Sequence, residues 1–132
     1  MASVFEGVRI LLVDDVAEYR HFLSVLFRKL GVTHIEEADE GTQALELLAR
    51  RMVDIAFIDL GMPGMGGIEL IEAMRNHPRF RSIPIVVVTS DTLKETVFKV
   101  AQTGVRDYLP KPITLPMIEE KLNKYFGPEA VD

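Results

Sequence analysis

Asp59 is the residue whose setting first suggests chemistry. It ends the apolar run Ile55-Ala56-Phe57-Ile58, and a turn containing Gly61, Pro63, Gly64, Gly66 and Gly67 follows at once. A short apolar run closed by turn residues reads as a buried strand, and glycines let a backbone approach an anion closely. A carboxylate on that lip can serve as a nucleophile that accepts a phosphoryl group. Taken alone, such an Asp is more often a turn former or helix cap; the residues that share its position set it apart.

Three further apolar runs end in residues of matching chemistry. Val8 to Val13 stops at Asp14-Asp15, Ile85 to Val88 stops at Thr89, and Asp107-Tyr108-Leu109 leads through Pro110 to Lys111. Each residue has an ordinary structural explanation: a helix cap for the aspartates and Thr89, a surface site for Lys111. Their joint occurrence at four strand ends is what those explanations leave over. Three carboxylates in one crevice raise one another's pKa and call for a counter-charge. Mg²⁺ takes one or two carboxylates, keeps several waters and leaves room for phosphate oxygens. With the Lys111 ammonium and the Thr89 hydroxyl, the set makes an anion site of phosphoryl size.

The intervening segments are helices that return the chain to start each new strand. Tyr19, Phe22, Leu23, Leu26, Phe27 and Leu30 recur at helical spacing from Ala17, and Gly31 closes that helix. Thr33 to Ala38 is a weak second strand suited to an edge. Asp39 is expected to cap a helix running to about Arg51, with Ala44, Leu45, Leu48 and Met52 inward. Ile68, Leu70, Ile71, Ala73 and Met74 predict a third helix, followed by a solvated basic loop at residues 78–82. Leu93, Val97, Val100 and Ala101 predict a fourth helix, with Thr92 and Glu95 as a capping box and Gly104 as its stop. Thr114 caps the fifth, where Pro116 is tolerated in the first turn and Leu115, Ile118, Leu122, Tyr125 and Phe126 form the buried stripe.

Five strands alternating with five helices predict an α/β fold, a parallel sheet covered on both faces by right-handed crossovers. In such sheets the strand ends share one edge, and ligands bind where the strand order reverses. For the order 2-1-3-4-5 that point lies between the strands carrying Asp14, Asp15 and Asp59.

The 132 residues suit one domain, and 48% hydrophobic content fills one core. A net charge of −5 disfavours direct nucleic-acid binding, and the absence of cysteine excludes disulfides, thiolate catalysis and Cys-ligated metals. No apolar run approaches membrane-spanning length, and Met1 to Gly7 lacks a basic n-region. A soluble, cytoplasmic protein is expected, without membrane insertion. With only Glu129 to Asp132 after the last helix, no output domain is expected.

Together Asp14-Asp15, the Asp59 to Gly67 turn, Thr89 and Tyr108-Leu109-Pro110-Lys111-Pro112 resemble the receiver domain of bacterial two-component response regulators, over about Val8 to Phe126. The resemblance implies a flavodoxin-like (βα)5 sandwich, and the order 2-1-3-4-5 is the family's own rather than an independent deduction. It also implies the following roles. Asp59 is the phosphoacceptor; Asp15 binds Mg²⁺ directly, Asp14 through water, and Gly61 by its carbonyl. Lys111 and Thr89 contact the phosphoryl oxygens, Tyr108 is the aromatic that turns inward on activation, and Pro112 follows a cis bond. The donor would be a phosphohistidine on a sensor histidine kinase or histidine phosphotransferase. The output partner would meet the face of the fourth helix, fifth strand and fifth helix, with Lys94, Lys99, Arg106, Tyr108 and Lys121.

Such a protein catalyses only its own phosphorylation and dephosphorylation. Ser90 departs from the usual Ala or Gly. Gly61 leaves the phosphoryl group open to water and Asp91 is placed to orient that water, so a short-lived phosphorylated state is expected. The rival readings are a phosphorylation-independent binding module and a Mg²⁺-dependent phosphohydrolase. His21, His34 and His77 are scattered and form no metal set.

Overall fold

The computed structural model describes residues 4–62 and 64–128. Pro63 and the tail from Glu129, both used in the sequence reading, lie outside them. The chain alternates β1 (Arg9–Val13), α1 (Ala17–Lys29), β2 (His34–Ala38), α2 (Gly41–Arg50), β3 (Ile55–Ile58), α3 (Gly67–Arg75), β4 (Ile85–Thr89), α4 (Lys94–Gln102), β5 (Asp107–Pro110) and α5 (Leu115–Phe126). All pairings are parallel, in the order β2-β1-β3-β4-β5, so the weak second strand takes an edge as expected.

Period-two alternation along the strands divides the core into two layers. Ile10, Leu12, Ile55, Phe57, Val86 and Val88 face α1 and α5, meeting Leu23, Phe27, Ile118 and Leu122. Leu11, Val13, Ala56, Ile58, Ile85 and Val87 face the other way, against Ala44, Leu48, Leu70, Ile71, Met74 and Val100. Because both faces are covered, the central strands read as continuous apolar runs. Every residue of β3 and β4 is buried. Gly31 ends α1 with φ of 93°, a conformation only glycine adopts freely.

Several local expectations are corrected. Glu40, not Asp39, occupies the N-cap of α2, where its carboxylate accepts a hydrogen bond from the Gln43 N–H. Met52 follows that helix and is 73% exposed, because the chain has already left helical geometry at Arg51. In α4 only Val100 is buried; Leu93, Val97 and Ala101 face outward. The Thr92–Glu95 capping box does not form, since Leu93 holds the N-cap position without a side-chain bond. Thr114 sits at the N-cap of α5 but likewise makes no capping bond. Within the basic 78–82 loop, Phe80 is buried beneath the stacked ring of His77. Among the described residues, no helix is long and apolar enough to cross a membrane.

Candidate functional site

Strand register builds the site. Val13 pairs with Ile58, so the next residues, Asp14 and Asp59, leave adjacent strands side by side. The Asp59 N–H donates to the Val13 carbonyl at 2.8 Å and continues the ladder to the sheet edge. One oxygen from each of Asp14, Asp15 and Asp59 lies within 4.8 Å of the others, with Asp14 and Asp59 buried and Asp15 exposed. On the next strand pair Thr89 aligns with Pro110, and the Lys111 N–H donates to the Thr89 carbonyl at 2.9 Å. That register delivers Lys111 to the same edge, and its peptide bond to Pro112 is cis, as the family resemblance implied.

Among the described residues, Lys111 is the cation paired with these carboxylates. Its ammonium lies 2.9 Å from Asp14 Oδ2 and 3.9 Å from Asp59 Oδ1, and 4.2 Å from the centre of the Tyr19 ring. Asp14 is held further by the Val16 N–H on Oδ1 at 2.8 Å and by Arg20 Nη1 on its carbonyl at 2.6 Å. Burial pushes the Asp59 pKa up; Lys111 opposes this, Asp14 and Asp15 reinforce it, and the Gly61 N–H lowers it by bonding the carboxylate. Gly67 closes the turn against Asp59. A Cβ there would collide with the Asp59 carbonyl oxygen and come 2.8 Å from Leu60 Cα.

Thr89 and Tyr108 are joined through Asp91. The Asp91 N–H donates to Thr89 Oγ1 at 3.1 Å, and the Tyr108 hydroxyl donates to the Asp91 carbonyl in a short bond. The Asp91 carboxylate itself serves the first turn of α4, accepting from the Leu93 N–H at 3.0 Å and from Thr96 Oγ1 at 2.7 Å. These bonds hold its pKa below the usual carboxylate range, the Thr96 bond most of all. Asp91 thus braces the entry to α4, whose N-cap position is Leu93.

Oxygen donors alone, converging on a shared point with too little positive charge, fit a hard divalent cation. The sequence reading missed two residues that reach this cluster, Tyr19 and Arg20. Tyr19 counted there only as part of an apolar stripe. Their position four and five residues past Asp15, one turn into α1, is the signal that could have raised them.

A parallel sheet in this order with acidic residues at the reversal point defines a doubly wound α/β domain with a candidate cation site at its edge. The chain belongs to the response regulator receiver domain family, whose model matches residues 10–123. It is 39% identical over 119 residues to the chemotaxis protein CheY of Pseudomonas aeruginosa, covering 90% of this chain and 96% of that one. CheY-3 of Vibrio cholerae is 36% identical over 125 residues, covering 95% and 96%. Among solved structures, CheY4 of Vibrio cholerae superposes with a TM-score of 0.82 at 26% identity, covering 89% of this chain and 97% of that one. The receiver domain of a Pseudomonas aeruginosa sensor histidine kinase, with a magnesium ion coordinated in its active-site cleft, gives 0.83 at 26% identity, covering 92% and 98%. Members of this family are signalling domains rather than enzymes that turn over a substrate.

Proposed function

We propose that this protein is a phosphoacceptor switch: Asp59 takes a phosphoryl group from a phosphohistidine on a sensor histidine kinase or phosphotransferase. The observation that carries the reading is the convergence of Asp14, Asp15 and Asp59 within 4.8 Å, with Lys111 as counter-charge 3.9 Å from Asp59. Asp14, Asp15, Asp59 and the Gly61 carbonyl would hold Mg²⁺, which when bound neutralises negative charge on the transferring phosphoryl oxygens. A carboxylate oxygen of Asp59 attacks phosphorus in line, the bond to the donor imidazole breaks, and the product is an aspartyl phosphate.

Lys111 then pairs with phosphoryl oxygens, and the Thr89 hydroxyl donates to another. Thr89 Oγ1 already accepts from Asp91, and Asp91 already holds Tyr108. A pull on Thr89 therefore reaches β5 through two hydrogen bonds and biases the α4-β5-α5 face, where an output protein would dock. This is a shift between existing states rather than a new fold. The setting of such a relay is the cytoplasm.

The test is intact mass after exposure to acetyl phosphate with Mg²⁺. A gain of one phosphoryl group, absent in Asp59→Asn and absent when Mg²⁺ is chelated, is the expected outcome. No gain in the unaltered protein, with a labelled histidine kinase also failing, would refute the reading.

A further inference from the structure

Tyr19 does not belong to the residues that would touch metal or phosphoryl group, yet it makes two contacts with the segment carrying Lys111. Its ring centre lies 4.2 Å from the Lys111 ammonium. Its hydroxyl oxygen accepts a hydrogen bond from the Ile113 N–H at 3.0 Å, spanning 94 positions of sequence. Ile113 is buried, so that bond ties the backbone just past Lys111-Pro112 to the first turns of α1.

The ring differs in kind from the other neighbours of Lys111. Asp14 and Asp59 are charged and belong to the cluster that a divalent cation would engage. A cation held by Asp14 would weaken the 2.9 Å bond to Lys111, because the two positive charges would compete for the same oxygens. A ring face attracts an ammonium through its quadrupole and accepts no metal. It therefore keeps its hold on Lys111 at the moment the carboxylates change partners. The Lys111 side chain is 17% exposed, and a cation over a ring is worth more where water is partly excluded.

We infer that Tyr19 is a positioning residue for Lys111: its ring seats the ammonium beside Asp59 independently of the carboxylates. This rests on the reading of Lys111 as the phosphoryl counter-charge. Tyr19 then helps to set the rate at which Asp59 is phosphorylated, while its hydroxyl fastens the loop.

The two contacts are separable by substitution. Tyr19→Phe keeps the ring and loses the bond to Ile113; Tyr19→Leu loses both. The first readout needs neither metal nor phosphodonor. In NMR spectra of the metal-free protein, the Lys111 Hε protons should lie upfield in wild type and Tyr19→Phe relative to Tyr19→Leu, through the ring current. The second is the phosphorylation rate with acetyl phosphate and Mg²⁺. Tyr19→Leu should be slower by about five-fold, the worth of a partly desolvated cation–π contact. Tyr19→Phe should recover most of that loss. Equal Lys111 shifts in all three proteins, or equal rates in Tyr19→Phe and Tyr19→Leu, would overturn the inference. Lys111→Ala separates the two levels of the argument. If it phosphorylates as fast as wild type, the role given to Lys111 is wrong and this inference falls with it. If it is slow while Tyr19→Leu is not, only the role of Tyr19 is wrong.

Discussion

Two buried carboxylates on this sheet meet lysines and come out oppositely. At the start of β5, Asp107 is 2% exposed, and three donors converge on it: Lys121 at 3.0 Å, Lys124 at 2.7 Å and the Tyr125 hydroxyl in a short bond. Burial pushes its pKa up, but the bonds from Lys124, Tyr125 and Lys121 outweigh that and hold it below the usual range. At the carboxyl ends of the strands, Asp59 shares one ammonium with Asp14, beside a third carboxylate on Asp15, and burial raises its pKa. The first cluster is over-supplied with donors and fastens α5 to β5. The second is short of positive charge while its fold holds it together. A deficit of that kind, at the edge where α/β sheets bind ligands, separates a candidate cation site from an internal brace.

The largest effect expected from breaking this contrast lies at the brace. Asp107→Ala leaves Lys121, Lys124 and the Tyr125 hydroxyl without their shared acceptor. Losing one partner of a buried ion pair typically costs about 3–5 kcal/mol. The exposure of Lys124 and the freedom of both lysines to turn toward water place the expected loss at the lower end, about 3 kcal/mol. Urea unfolding measures it. A loss no larger than that of a surface substitution would mean the donors are surplus and the brace is ornamental.

Adding the missing charge should act only at the other end. At one hundred times its dissociation constant, Mg²⁺ should stabilise the native state by about 2.7 kcal/mol. Asp15→Asn should lose most of that increment, whereas Asp107→Asn should keep it in full although its baseline is lower. Urea curves with and without Mg²⁺ decide the matter, and an increment untouched by Asp15→Asn would place the ion elsewhere.

This contrast explains what was legible in the sequence. Asp14, Asp15, Asp59 and Lys111 could be grouped because each follows an apolar run, and a parallel sheet sends such ends to one edge. The alternation that covers both sheet faces was readable from the same runs. Asp107 was not: it begins its strand, and its partners lie on α5, Lys121 one turn before Lys124 and Tyr125, so only the packing of α5 on β5 brings them to it. Tyr19 was hidden for a related reason, because an aromatic in an apolar helical stripe reads as core until a distant loop is placed over it. The exposed Leu93 and Val97 mark where period alone misleads, since α4 buries only Val100. The misplaced caps have a local cause. Glu40 and Asp91 each bond a backbone N–H two or three residues on, and neighbouring acidic or hydroxyl residues compete for that role.

The smallest effect has the most telling sign. Asp59→Asn removes a charge that the fold disfavours, chiefly through burial, so without Mg²⁺ it should stabilise the protein at neutral pH, by on the order of 1 kcal/mol. Because the folded pKa of Asp59 is raised, its contribution to stability is present below its unfolded value and is lost as pH rises through the folded one. The advantage of Asp59→Asn over wild type should therefore appear across that window and level off above it. Asp107 runs the other way. Its folded pKa is lowered, so its contribution is present above the unfolded value and disappears as pH falls through the folded one. The deficit of Asp107→Asn should accordingly shrink in acid. Urea midpoints for the three proteins across this acid range, with a chelator present, should give difference curves that both rise with pH in magnitude but carry opposite signs. Two curves of the same sign would mean that the acidic edge is as well satisfied as the brace, and the deficit assigned to Asp59 would be withdrawn.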